Sequence, residues 1–175
     1  LAVLPYANGL TAGFTFDDGA IVRDNPRLAG PERVGEIFTT HYFGGPLSTA
    51  KNYRPVVLLT YAVQRWTTGI DPFPFHLVNV LLHAATTLLL AAWLLALGMP
   101  RPPSLAAAAL FAVVPIHAEA VTGIVGRAEL LVALLVLLSA LLFLRATDGP
   151  RLRRAAYAGA LGAFLSGAGS SACAL

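Results

Sequence analysis

The sequence predicts an all-α membrane protein, a polytopic helical bundle with a long first extracytoplasmic loop. Three observations carry this reading. The 175-residue chain is 57% hydrophobic and 12% charged, with a mean hydropathy of +0.70, whereas a soluble domain carries about 25% charged residues. A membrane-spanning helix needs about 20 mainly apolar residues, and neither Leu77 to Leu97 nor Ala155 to Leu175 contains a charge. The few charges are gathered between the apolar stretches, because a hydrocarbon core excludes them.

Taken in order, residues 1–10 read as the outer end of a first span. Leu1 to Leu10 lacks a basic flank and is too short for a signal peptide. Residues 11–74 form the long outer loop. Its charges balance, six basic residues against six acidic ones. Turn signals stand at Asp24-Asn25-Pro26, Gly44-Gly45-Pro46 and Asp71-Pro72-Phe73-Pro74. Between them, Arg33 to Phe43 and Pro55 to Trp66 are expected as short helices. Val57, Tyr61, Gln64 and Arg65 give the second of these a mixed face, suited either to the membrane surface or to packing on the bundle. Spans are expected over 75–97, 104–125, 128–145 and 155–175.

Charge sets the orientation. The loop Gly98 to Ser104 carries Arg101, and the turn Arg145 to Arg154 carries Arg145, Arg151, Arg153 and Arg154 against Asp148. Two spans separate these loops, so they share one side, and the positive-inside rule places them in the cytoplasm. The long loop and the Pro115 to Glu129 region then face outward together. The chain has no basic stripe interleaved with aromatics, which argues against nucleic acid as a partner. The lone Cys173 builds no disulfide framework.

Four groups of residues have the makings of chemistry. Asp17 and Asp18 follow Phe14-Thr15-Phe16 just outside the first span. A carboxylate at the membrane boundary can act as a general base toward an alcohol or bind a cation; a helix cap or a solvated turn is the plainer alternative. His76, Asn79 and His83 fall at i, i+3 and i+7, on one helix face. The 1.5 Å rise per residue puts His83 about 10 Å deeper than His76. Interhelical hydrogen bonding accounts for Asn79 and His83, which leaves His76 as the site candidate.

The third group is His117 and Glu119, two residues apart. A regular helix would point one of them at lipid. The helix is therefore expected to break near Pro115 and to turn both toward a polar cavity. Arg127, eight residues on from Glu119, suits a phosphate or carboxylate through its fork of donors, or else pairs with Glu119 or Glu129. Arg54, within Tyr53-Arg54-Pro55, precedes a proline and so is biased to an extended conformation. It can offer its guanidinium to an anion near the headgroups. His117-x-Glu119 lacks a second ligand pair, so no metal site and no cofactor are assigned, and dependence on a divalent metal stays open.

These motifs, in this order, resemble the transmembrane and tetratricopeptide-repeat-containing protein family. The resemblance rests on Phe16-Asp17-Asp18, Asp24-Asn25, Tyr53-Arg54-Pro55, Phe75-His76-x-x-Asn79-x-x-x-His83, Pro115-Ile116-His117-x-Glu119-Ala120-Val121 and Ile124-Val125-Gly126-Arg127-Ala128-Glu129. It covers nearly the whole chain. It implies a GT-C type membrane fold and protein O-mannosyltransferase activity, with a polyprenyl-phosphate sugar lipid as donor and a protein hydroxyl as acceptor. Asp17 and Asp18 match the acidic position of the first outer loop that such enzymes place at the active site. The resemblance also implies tetratricopeptide repeats downstream of the membrane domain. The alanine-rich composition suits a bacterial inner-membrane member; a eukaryotic one would sit in the endoplasmic reticulum. Two departures stand out: Val114-Pro115 where the family often has His-Pro, and Ser166-Gly167-Ala168-Gly169 where it often has Ser-Lys-Glu.

Two other functions fit the pattern less fully. A transporter would use His76, His83, His117 and Glu119 as a relay, but it should show a paired broken-helix repeat, and none is present. A non-catalytic membrane anchor for a repeat domain is the other.

Overall fold

The computed structural model describes residues 2–43, 52–145, 154, 157–159, 161 and 162. The Gly44-Gly45-Pro46 turn, the Ser166 to Gly169 departure and most of the expected span over 155–175 lie outside the described residues. Among the described residues every regular element is helical and no strand forms, so the all-α class holds.

The α-helices whose bounds lie among the described residues are, in chain order, α1 (Val34–Thr39), α2 (Pro55–Thr68), α3 (Pro72–Ala96), α4 (Arg101–Val113), α5 (Ala118–Thr122) and α6 (Arg127–Arg145). Short 3-10 and π turns link them. The central element is α3, which packs chiefly on α6 and α4. Its 25 residues reach about 37 Å at 1.5 Å per residue, enough for a hydrocarbon core of about 30 Å. Ile124–Arg145, which adds one turn to α6, is the second helix long and apolar enough to cross a membrane.

The start of α3 explains how its flanking residues work. Asp71-Pro72-Phe73-Pro74 reads as a breaker, yet it is a helix start. The Asp71 side chain accepts from the Phe73 N–H at 3.0 Å, and Pro72 takes the first helical position, where its missing N–H is no loss. The other end closes on Gly98 at φ +84°. The Met99 N–H bonds the Leu94 carbonyl and the Gly98 N–H bonds that of Leu95, a left-handed cap that suits glycine.

A third candidate span, among the described residues, is bent. α4 stops at Val113, Val114 is extended, and Pro115 opens a 3-10 turn that runs into α5. The two parts meet at 49°. Proline removes a backbone donor and clashes with the preceding turn, as the sequence led us to expect. Two side chains from other elements occupy carbonyls around the break: Tyr6 Oη donates to Val114 O at 3.2 Å, and His83 Nε2 lies 3.2 Å from Ala112 O. Backbone within a membrane needs such internal partners. Tyr6 belongs to a 3-10 helix, Leu4–Thr11, that packs on α3 and α5.

The long loop folds into a packed cap. Ile21, Val22, Leu28, Ile37, Val57 and Tyr61 form one apolar cluster with Phe75 and Ile124 of the bundle. Val57 and Tyr61 are fully buried, so that face of α2 packs on the protein and does not lie along the membrane surface. Two arginines serve as staples. Arg27 donates to Asn25 Oδ1, Thr40 Oγ1 and the carbonyls of His41 and Tyr42 at 2.7–3.0 Å. Arg65 donates to the carbonyls of Val22, Arg23 and Asn25, closing the π turn Gly19–Arg23.

Candidate functional site

A cavity of about 750 Å³ opens where four segments meet: the Thr15–Asp18 turn, the Tyr42-Phe43 pair, the Asn52–Arg54 approach to α2, and the return from Ile116 to Glu129. Close approach makes the return possible. A Cβ at Gly126 would overlap the Ala120 backbone, so only glycine lets the Ile124–Gly126 turn nest on α5.

The structure separates the two aspartates. Asp18 is 1% exposed and fully engaged. Its Oδ2 accepts from the Thr15 N–H at 3.0 Å and from Thr15 Oγ1 at 3.1 Å, and its Oδ1 accepts from the Val125 N–H at 3.0 Å. One carboxylate thus ties the first turn of the long loop to the far wall of the cavity. Asp17 is exposed, lines the same cavity, and its carboxylate has no hydrogen-bond or ion-pair partner among the described residues. Phe16, just before it, sits at φ +44° and is fully exposed. A bulky residue in the left-handed region is strained, and here that conformation accompanies the tight turn that sends Asp17 and Asp18 to different tasks.

Arg54 reaches the cavity from the opposite side. Its backbone stands at φ −134°, ψ 61°, short of the extended conformation expected from the sequence, with Pro55 opening α2; the proline keeps it out of the helical region. The guanidinium lies 5.5 Å from the Tyr42 ring centroid, and NH1 lies 3.6 Å from Glu129 Oε1. Its Nε is buried without a hydrogen-bond partner. Tyr42 also lines the cavity; its hydroxyl is buried and unpartnered, and burial pushes the phenol up to about 12. Among the described lining residues Arg54 is the one cation, facing Asp17, Asp18, Glu119 and Glu129.

The remaining sequence candidates part company. The break at Pro115 turns Glu119 into the cavity, but His117 turns away from it, which corrects the expectation that both face one polar space. The reason is aromatic packing: the His117 ring lies 4.4 Å from that of Phe111 and 5.5 Å from that of His83. His76 is 1% exposed, both its ring nitrogens lack partners, and it does not line the cavity. Asn79 and His83 bind backbone carbonyls of neighbouring elements: Asn79 Nδ2 donates to Gly123 O at 2.8 Å and Ile124 O at 3.2 Å, while His83 meets α4.

Arg127 lies beneath the cavity without lining it. It is 1% exposed and has no ion pair with Glu119, Glu129 or any other described carboxylate. Neutral partners hold it instead: Nε donates to Asn79 Oδ1 at 3.0 Å, NH2 to Phe75 O at 3.1 Å and NH1 to Thr60 Oγ1 at 3.4 Å. The Tyr61 ring lies 4.6 Å from the guanidinium. Arg127 therefore joins α2, α3 and α6 under the cavity floor.

Three polar cavity residues escaped the sequence reading: Tyr42, Asn52 and, as an Arg54 partner, Glu129. For Glu129 a signal existed. Residues two apart on a helix point about 200° apart, so if Arg127 faces the bundle, Glu129 must face out of it. Among the described residues no three His, Cys, Asp or Glu side chains group closely enough to hold a metal ion.

Comparison with known proteins adds the family. No family model matches the chain, and no solved structure matches it. Human protein O-mannosyl-transferase TMTC3 is 36% identical over 148 residues, 83% of this chain and 16% of the relative. Human protein O-mannosyl-transferase TMTC1 is 40% identical over 151 residues, 83% of this chain and 17% of the relative. Xenopus laevis protein O-mannosyl-transferase tmtc2 is 39% identical over 148 residues, 83% of this chain and 18% of the relative. The chain thus spans about one sixth of the length of these curated relatives.

Proposed function

Because the chain belongs across its matched region to the transmembrane and tetratricopeptide-repeat-containing family, we propose that it carries the catalytic cavity of a membrane glycosyltransferase. The reaction moves a sugar, mannose by the relatives' names, from a polyprenyl-phosphate lipid to a protein hydroxyl on the outer face. The membrane would be the bacterial inner membrane or the endoplasmic reticulum. One observation carries the reading: Asp17, unpartnered and exposed, shares a cavity at the end of a membrane helix bundle with Arg54, its one described cation.

In this mechanism the acceptor oxygen attacks the anomeric carbon from the face opposite the phosphate. The new C–O bond forms as the bond from carbon to phosphate oxygen breaks, with inversion at carbon. The acceptor proton passes to the Asp17 carboxylate. The lipid phosphate leaves with the bonding electron pair, and the Arg54 guanidinium offsets its charge. Asp18 takes no proton in this scheme. It positions Asp17 by fixing Thr15 and Val125.

The test is transfer from polyprenyl-phosphate mannose in nanodiscs containing the intact protein. Asp17→Asn should lower turnover by about 10²-fold or more, the scale of a lost acid–base group, with donor binding retained. Full turnover in Asp17→Asn would remove it as the base.

A further inference from the structure

We propose that Glu129 is a built-in stand-in anion that occupies Arg54 in the resting site and gives way to the phosphate of the donor. The inference rests on the reading of Arg54 as the phosphate ligand and adds to it a residue that limits donor affinity. The geometry of the pair motivates it. Arg54 and Glu129 approach to 3.6 Å, beyond hydrogen-bond reach. The Arg54 side chain is 14% exposed and that of Glu129 is 58% exposed, so one partner is seated and the other is mostly in water. An ion pair with one solvated partner is weak. The Arg54 Nε, meanwhile, is buried with nothing to donate to, and a buried donor left unmade is unfavourable.

The resting pair therefore neutralises Arg54 without filling its fork. A phosphate has the geometry to do what Glu129 does not, since it can accept two parallel N–H bonds from one guanidinium. The Tyr42 ring lies against the same guanidinium and leaves its donors free for an anion. A buried guanidinium donor without an acceptor, with a carboxylate held loosely over the same group, describes an anion subsite under partial occupancy by the protein itself. Glu129 stands in the first turn of α6. It can swing into water when displaced, so exchange requires no backbone movement.

The probe is polyprenyl phosphate without sugar, titrated into the intact protein in nanodiscs. Removing a weak competitor should tighten binding, so Glu129→Gln is expected to lower Kd about 3- to 5-fold, the scale of a weak ion pair. Arg54→Gln should raise Kd at least about 30-fold, and adding Glu129→Gln to it should restore nothing. Glu119→Gln, at a carboxylate of the same cavity that is unpaired with Arg54, should change Kd less than about twofold. If Glu129→Gln leaves Kd unchanged or raises it while Arg54→Gln weakens binding, the stand-in role fails and the phosphate reading of Arg54 survives. Unchanged Kd in Arg54→Gln would overturn both. Equal tightening by Glu119→Gln and Glu129→Gln would assign the effect to total cavity charge and overturn the specific role of Glu129.

Discussion

Replacing Asp18 by Asn tests the division of labour between the two aspartates. The Asp18 carboxylate receives three hydrogen bonds, two from Thr15 and one from the Val125 N–H. An amide supplies one acceptor oxygen and one donor nitrogen. If the oxygen keeps Val125, the amide nitrogen faces the Thr15 N–H, donor against donor; the Thr15 hydroxyl can rotate to accept, but the N–H cannot. One charge-assisted bond is then lost, at about 1.5–3 kcal/mol, and the others fall to neutral strength. Easier desolvation of the neutral amide opposes this, which leaves a net destabilisation of about 2–3 kcal/mol. For a chain of this size that corresponds to roughly 5–10 °C in melting temperature. Asp17→Asn, at an exposed carboxylate without partners, should stay within about 0.5 kcal/mol of the parent. Thermal unfolding of the three proteins in one detergent makes the comparison. Equal melting of Asp18→Asn and Asp17→Asn would refute the structural role of Asp18.

Two further outcomes follow from the same geometry. Arg127→Gln strips partners from Asn79 and the Phe75 carbonyl and should destabilise by about 3 kcal/mol; adding Glu119→Gln should rescue nothing, because no ion pair joins them, and recovery of the melting temperature in the double variant would contradict the neutral cage around Arg127. Tyr42 supplies an alkaline signature: burial pushes its phenol up to about 12 from the ordinary 10.0, so between pH 10 and 12 the folded state holds more protons and stability falls as pH rises. Below pH 10 this residue contributes no slope. Tyr42→Phe should flatten part of the decline, leaving the share of Tyr61, whose phenol burial also raises, and an unchanged slope in urea unfolding across that window would remove Tyr42 as the cause.

Sequence periodicity recovered what depends on a single helix. The His76, Asn79 and His83 face is buried as the 3.6-residue period requires, and the break at Pro115 follows from one residue type. Asp17 and Asp18 were not separable, because adjacent identical residues carry the same local signal. What divides them is the Val125 N–H, 107 residues away. The fate of Arg127 was hidden for a related reason: its partners are the side chains of Thr60 and Asn79 and the carbonyl of Phe75, and charge matching on paper favours carboxylates over carbonyls. His117 was misdirected because a polar ring was assigned to a polar space, whereas the rings of Phe111 and His83 pack against it at a tilt.

The elbow between α4 and α5 has a practical consequence for anyone who trims or fuses this protein. Leu4–Thr11 looks dispensable, a short stretch ahead of the long loop, yet Tyr6 within it holds the Val114 carbonyl and meets the His83 ring edge-on at 5.1 Å. His83 in turn sits at the Ala112 carbonyl. The elbow is therefore propped from outside its own helix, by two residues that are 77 positions apart in the chain. Deleting the opening residues would take away a prop at a distance, and the damage would surface at the cavity wall carried by α5, where Glu119 and Ala120 stand, with every residue of that wall unchanged.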